Sequence, residues 1–239
     1  MSGGSEAGGG STSGGPAPAR GQARDDVLAA VRRALGGTRA APADDDAVPV
    51  PRTYRGATGS AGAASDVDLL VDRILDYRAS VRRCAAAELP GVLGEELDGV
   101  ATVVVPPGLD PTWLPDVREG GVTVVVDDPD APLAQSVLDA TGAALTACRV
   151  AVAETGTLVL DGAPDQGRRV LTLLPDRHVC VVRAEQVVPG VPDAVALLSE
   201  HPERPLTWIS GPSATSDIEL VRVEGVHGPR DLRVVIVEG

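Results

Sequence analysis

An α/β fold built around a mostly parallel sheet is predicted by three features of this chain. From Val100 onward, short Val-rich runs alternate with segments of helical spacing. The runs are continuously apolar rather than alternating, as strands buried on both faces require. The hydrophobic fraction of 43% contains no Phe, two Trp and two Tyr, so the core is aliphatic.

The elements follow in order. Residues 1–23 form a Gly/Ser/Pro-rich tail without a periodic apolar face, which cannot offset its ordering entropy and reads as disordered. In ARDDVLAAVRRALGG, Val27, Leu28, Val31 and Leu35 recur at helical spacing, acidic residues lead, arginines follow and Gly36-Gly37 supplies the stop. Residues 38–64 read as an extended surface connector in which the segment Val50 to Tyr54 docks. A second helix is expected after Ser65, with Val67, Leu70, Val71, Ile74, Leu75 and Val81 on one face through Arg83, and residues 85–98 continue as helical turns.

Strands are expected in ATVVVP, VTVVVDD, LTACRVAVAETGTLVL, HVCVVR, LTWIS and LRVVIVE. Helical segments fall at Pro132 to Ala140, Gln166 to Leu174, Pro192 to Glu200 and Ser213 to Leu220. The domain reading is therefore a tail (1–23), an N-terminal helical region with connector (24–99) and an α/β core (100–239), with ligands expected at the carboxyl ends of the strands.

Composition excludes several functions. A formal charge of −13 without a basic stripe opposes binding to a phosphate backbone, so nucleic acid is not an expected partner. No apolar run approaches the roughly 20 residues of a membrane span, and the N-terminus lacks a secretory apolar region, which implies a cytoplasmic protein. The chain has no lysine, which rules out Schiff-base chemistry and a Walker lysine. Cys84, Cys148 and Cys180 read as buried, reduced thiols. Three separated cysteines do not supply the usual four thiolates of an iron–sulfur cluster, and three scattered histidines do not suggest a metal site. No cofactor is expected on this chain.

Four places can carry chemistry. In the run Ala151 to Leu160, Glu154, Thr155, Gly156 and Thr157 interrupt an apolar stretch. Glu154 is either held at a low-dielectric edge as acid, base or nucleophile, or sits in a hairpin turn facing water. In Ser210-Gly211-Pro212-Ser213, followed by Asp217, a strand runs through a turn into an expected helix start. Its hydroxyls either cradle an anion or cap the helix, with Ser213 or Ser216 as the cap. His227, between Val226 and Gly228, is an accessible base or a turn histidine in water. Arg168 and Arg169 supply cationic recognition in a lysine-free chain, with Arg169 read as surface and Arg168 left open.

The segments AETGTLVL, QGRRVLTLLPDRHVCVV, ISGPSATSDIE and VHGPRDLRVVIVE, in this order, resemble the LUD-domain lactate-utilization protein C family; the early helix and VPRTY fit its N-terminal pattern more loosely. The resemblance covers about residues 24–238. It implies a three-layer α/β fold similar to sugar-phosphate isomerases and CoA transferases, preceded by N-terminal helices. It also implies a role in oxidising L-lactate to pyruvate beside partner proteins that carry the iron–sulfur clusters, with a small anionic metabolite as ligand. The motif positions it marks are Glu154, Thr155 and Gly156, then Ser210, Gly211, Pro212, Ser213 and Asp217, then His227 and Gly228. Glu154 and His227 are the expected catalytic groups, and the others, with Arg168, the expected ligand-binding ones. Two alternatives stand beside this role: an enzyme working alone on a CoA-linked or phosphorylated anion, and a metabolite-binding assembly factor.

Overall fold

The computed structural model describes residues 20–35, 62–114, 121–215, 223–224 and 228–239. Two units, 1–53 and 54–239, divide the chain. In the first, helix α1 spans Arg20–Ala34, with Arg32 and Arg33 in its last turn, where cations favour the helix dipole. Its first four residues lie in the stretch read as tail. The connector lies outside the described residues up to residue 61.

The second unit opens with helix α2 (Ala63–Asp76), whose Val67, Leu70 and Ile74 are buried along one stripe. It ends earlier than the apolar periodicity predicts. Arg78 adopts a left-handed φ of 64°, its N–H donates to the Leu75 carbonyl (2.8 Å) and that of Ala79 to Ile74 (3.3 Å). With arginine in the position glycine usually takes, no stop was visible in the sequence. Val81 to Arg83 therefore lie in strand β1 (Ser80–Ala85), not in the helix. Residues 86–96 are helical as expected, ending in α3 (Leu89–Glu96).

The remaining elements are β2 (Thr102–Val105), β3 (Thr123–Val126), α4 (Gln135–Asp139), β4 (Ala143–Ala147), β5 (Val150–Val152), β6 (Thr157–Leu160), β7 (Arg177–Arg183), β8 (Val187–Val188), α5 (Val191–Leu198), β9 (Thr207–Ile209), β10 (Ala214–Thr215), β11 (Val223–Glu224) and β12 (Asp231–Glu238). Six strands form one sheet in the order β1-β12-β7-β4-β2-β3, with every pairing parallel. From β2 the chain moves outward to β3, then returns through β4, β7 and β12 in the opposite direction, so the winding reverses between β2 and β4.

Side-chain parity explains the layers. Val179 and Val181 of β7, with Val235 and Val237 of β12, face α3 through Leu89, Leu93 and Leu97. Cys180 and Val182, with Val234 and Ile236, face α2 and a second sheet ordered β8-β5-β6-β9. Helix α5 covers the far side of that sheet through Ala194 and Leu198. The fold is thus α/β with a mostly parallel sheet, as the sequence predicts, and its central strands β4 and β7 are buried on both sides, whereas the edge strands β1 and β3 are largely open. All three cysteines are buried free thiols. The neighbouring Cys180, with burial adding to it, pushes the Cys148 thiol well above its usual range.

Two further segments depart from the sequence reading. Within 166–174 only Arg169–Thr172 is helical, as a 3₁₀ turn, because Gly167 sits at φ 70°, outside helical space, and turns the chain just before it. After Ser213 the chain runs into β10, which pairs antiparallel with β11, so no helix begins at Ser213. The Ser213 N–H donates to the Pro229 carbonyl (2.8 Å), which fixes the segment beside the next turn.

Candidate functional site

Of the motif residues, Ser210, Gly211, Pro212, Ser213 and Gly228 line one cavity of about 370 Å³. The loop after β9 lines it with Ser210, Gly211, Pro212 and Ser213, and Gly228 and Pro229 stand in the wall beside Ser213. Gly211 holds the loop in place: at φ 83°, its Cα lies so close to α2 that a Cβ would come within 2.6 Å of the Tyr77 Cβ. The 3₁₀ turn contributes Arg169 and Thr172. Among the described residues the Arg169 guanidinium has no ion-pair partner, although the chain carries 34 acidic residues.

His178 forms part of the wall. It is the second residue of β7, level with Leu232 of β12, so the cavity flanks the amino ends of these strands rather than their carboxyl ends. The imidazole is fully buried. Its Nε2 lies 2.9 Å from the Thr146 hydroxyl of β4, while its Nδ1 has no hydrogen-bond partner among the described residues. Desolvation lowers its pKa to about 4, so the ring is neutral at pH 7. An unpaired buried ring nitrogen costs free energy unless something donates to it or accepts from it.

Glu154 sits in the Ala153–Gly156 turn of the β5–β6 hairpin, exposed to water, the second of the two placements open from sequence. Its N–H donates to the Pro189 carbonyl (3.0 Å), and it is in neither cavity wall. Gly156 is buried against Arg73 of α2. The turn still communicates with the cavity, because the Thr155 hydroxyl lies 2.7 Å from that of Thr157, which in turn lies 2.8 Å from the Ser210 hydroxyl. Asp217 and His227, like the alternative cap Ser216, lie outside the described residues.

Arg168 is committed elsewhere. Its Nε and Nη2 donate to both carboxylate oxygens of Asp127 (2.6 and 2.8 Å), and Nη2 also donates to the Leu133 carbonyl (2.7 Å). Asp127 is only 3% exposed, and the Leu133 N–H (2.9 Å) completes its shell. Burial alone would raise the carboxyl's pKa, but Arg168 and the Leu133 amide outweigh it and hold the pKa below the ordinary value. This pair lines a second cavity, also about 370 Å³, beyond the carboxyl ends of β2 and β3. Its walls are mainly Pro107, Pro129, Pro164, Pro205 and Ala163, and it shares Arg169 and Thr207 with the first cavity.

Sequence reasoning thus left out His178 and Thr172, named Thr157 only within the candidate run at 151–160, and read Arg169 as surface, where it is exposed and also lines the cavity. His178 had a legible signal: a lone histidine inside the apolar run HVCVV, in phase with Cys180 and Val182. Which of two adjacent arginines finds a carboxylate depends on Asp127, 41 positions away, and left no local trace.

Residues 130–237 match the family model of the LUD domain, which gives the class of the core. The lactate utilization protein C of Deinococcus radiodurans is 44% identical over 222 residues, spanning 92% of this chain and 98% of that one. That of Bacillus subtilis is 33% identical over 99 residues, 39% of this chain and 41% of that protein. A crystal structure of a DUF162 family protein from Deinococcus radiodurans superimposes with a TM-score of 0.64 at 42% identity, covering 74% of this chain and 99% of that one. This chain belongs to the lactate utilization protein C family.

No described helix is long and apolar enough to cross a membrane.

Proposed function

We propose that this protein is a component of a system that oxidises L-lactate to pyruvate, and that the first cavity receives the carboxylate of a small 2-hydroxy acid. The reading is supported by the Deinococcus radiodurans relative, which carries the name lactate utilization protein C and matches nearly the whole chain. The observation that carries the site is the meeting in one cavity of Ser210, the neutral His178 and an Arg169 that has no ion pair among the described residues. A guanidinium binds a carboxylate through paired charge-assisted N–H donors. A neutral imidazole with one uncommitted nitrogen can exchange a hydrogen bond with the 2-hydroxyl without the repulsion or over-tight pairing a charged ring would bring. Ser210, Thr157 and Thr155 offer a hydroxyl path between the ligand and the turn that carries Glu154, whose carboxylate is open to water.

Oxidising lactate to pyruvate releases two electrons and two protons. In this reading the electrons pass to iron–sulfur partner proteins, and this chain binds and orients the acid. Gly228 and Ser213 lie against each other in the wall. Growth of a host lacking this gene tests the role. Reintroducing the intact gene is expected to restore growth on L-lactate and reintroducing Arg169→Ala is not; equal growth with no gene at all would refute it.

A further inference from the structure

The two cavities are each about 370 Å³ and meet at Arg169 and Thr207. Pockets that hold molecules much larger than lactate begin at about 300 Å³. A three-carbon acid therefore fills only a small part of the first cavity and reaches none of the second. The walls also differ in kind. In the first, hydroxyls, a cation and an imidazole stand beside Leu173, Trp208, Ile209 and Leu232, whereas prolines and an alanine dominate the second. The carboxylate in the second cavity is already satisfied, since both Asp127 oxygens are taken by Arg168 and the Leu133 amide. Away from the two arginines the wall has little to offer an ionic or strongly hydrogen-bonding ligand. Arg169, the shared cation, fixes where an anionic group sits and which way the rest of the molecule points.

We propose that the two cavities form one bipartite site for carboxylic acids with an apolar tail, the carboxylate on Arg169 and the tail passing Thr207 into the proline-lined cavity. This extends the proposed carboxylate site and rests on it. The ligand class is a 2-hydroxy acid with a side chain longer than a methyl group. Tail burial makes affinity rise with chain length, by roughly three- to four-fold for each methylene removed from water, until the second cavity is full.

The test is calorimetric titration of the full-length protein with L-lactate, 2-hydroxyhexanoate and 2-hydroxyoctanoate, repeated on Ala163→Leu, which places a larger side chain in the second cavity. The dissociation constant is expected to fall steeply along the series for the unmodified protein and to level off for Ala163→Leu. The chain-length series on the unmodified protein decides the matter even if the variant does not fold. Equal affinity for all three acids would overturn the bipartite site while leaving the carboxylate site standing. Absence of binding by all three would overturn the carboxylate site and this inference with it.

Discussion

The hydroxyl of Thr157, inside the second sheet, lies 2.8 Å from the hydroxyl of Ser210 at the rim of the first cavity, 53 positions away in sequence. This one contact joins the two motif regions that the chain keeps apart. Thr157 is 5% exposed, so its hydroxyl depends on protein partners. Thr157→Val keeps the shape and removes the oxygen, and a loss of about 1–2 kcal/mol in urea unfolding is expected, with Thr157→Ser restoring most of it. No difference between Val and Ser would mean that the contact contributes nothing.

His178 predicts a pH dependence of stability. Its pKa falls from 6.5, the ordinary value of a solvated imidazole, to about 4 in the fold because burial disfavours the charged ring. Between these values the unfolded chain binds more protons, so stability is full above the unfolded value and is lost as pH falls toward the folded one. From about pH 7.5 to about pH 5 this group removes about 2 kcal/mol. Urea unfolding of the protein and of His178→Gln at both pH values measures it: the variant should lose less stability on acidification by about that amount.

Asp127 and Arg168 predict an asymmetry between single and double substitution. Arg168→Leu leaves a nearly buried carboxylate with only the Leu133 amide, at an expected cost of about 2–4 kcal/mol, below the fully buried figure because the Arg168 side chain is 38% exposed. Replacing Asp127 by leucine in the same molecule should return much of that stability, as followed by thermal denaturation.

Gly211 predicts a backbone constraint at the cavity rim. A Cβ there meets the Tyr77 side chain at a φ of 83°, so Gly211→Ala is expected to cost about 1–3 kcal/mol and to weaken ligand binding as the Ser210 loop shifts. Unfolding and titration of the same variant check both effects.

Much of the fold was legible because Val-rich runs mark the strands of the main sheet: those within 102–105, 123–126, 177–183 and 231–238 appear as strands where the pattern placed them. The departures have local causes. Arg78 ends α2 in a conformation that sequence assigns to glycine, so Ser80 to Ala85 was read as helix when it pairs with β12. In the sequence Ser216 and Glu219 have capping-box spacing and Ser213 is the alternative cap one turn earlier, yet the chain after Ser213 enters β10 and the Ser213 N–H is used by Pro229. The site was legible at Ser210 to Ser213 and at Gly228, where turn chemistry marks the chain. It was not legible at Arg169, whose availability follows from the Asp127–Arg168 pairing, nor in the exposure of Glu154, which the strands beside it do not dictate.

Whether Arg169 anchors a carboxylate in the first cavity is tested most directly by calorimetric titration of L-lactate into the protein and into Arg169→Ala. Saturable binding that weakens at least about ten-fold in the variant, with an unchanged urea midpoint, is the predicted result. Binding of equal strength in Arg169→Ala would contradict it.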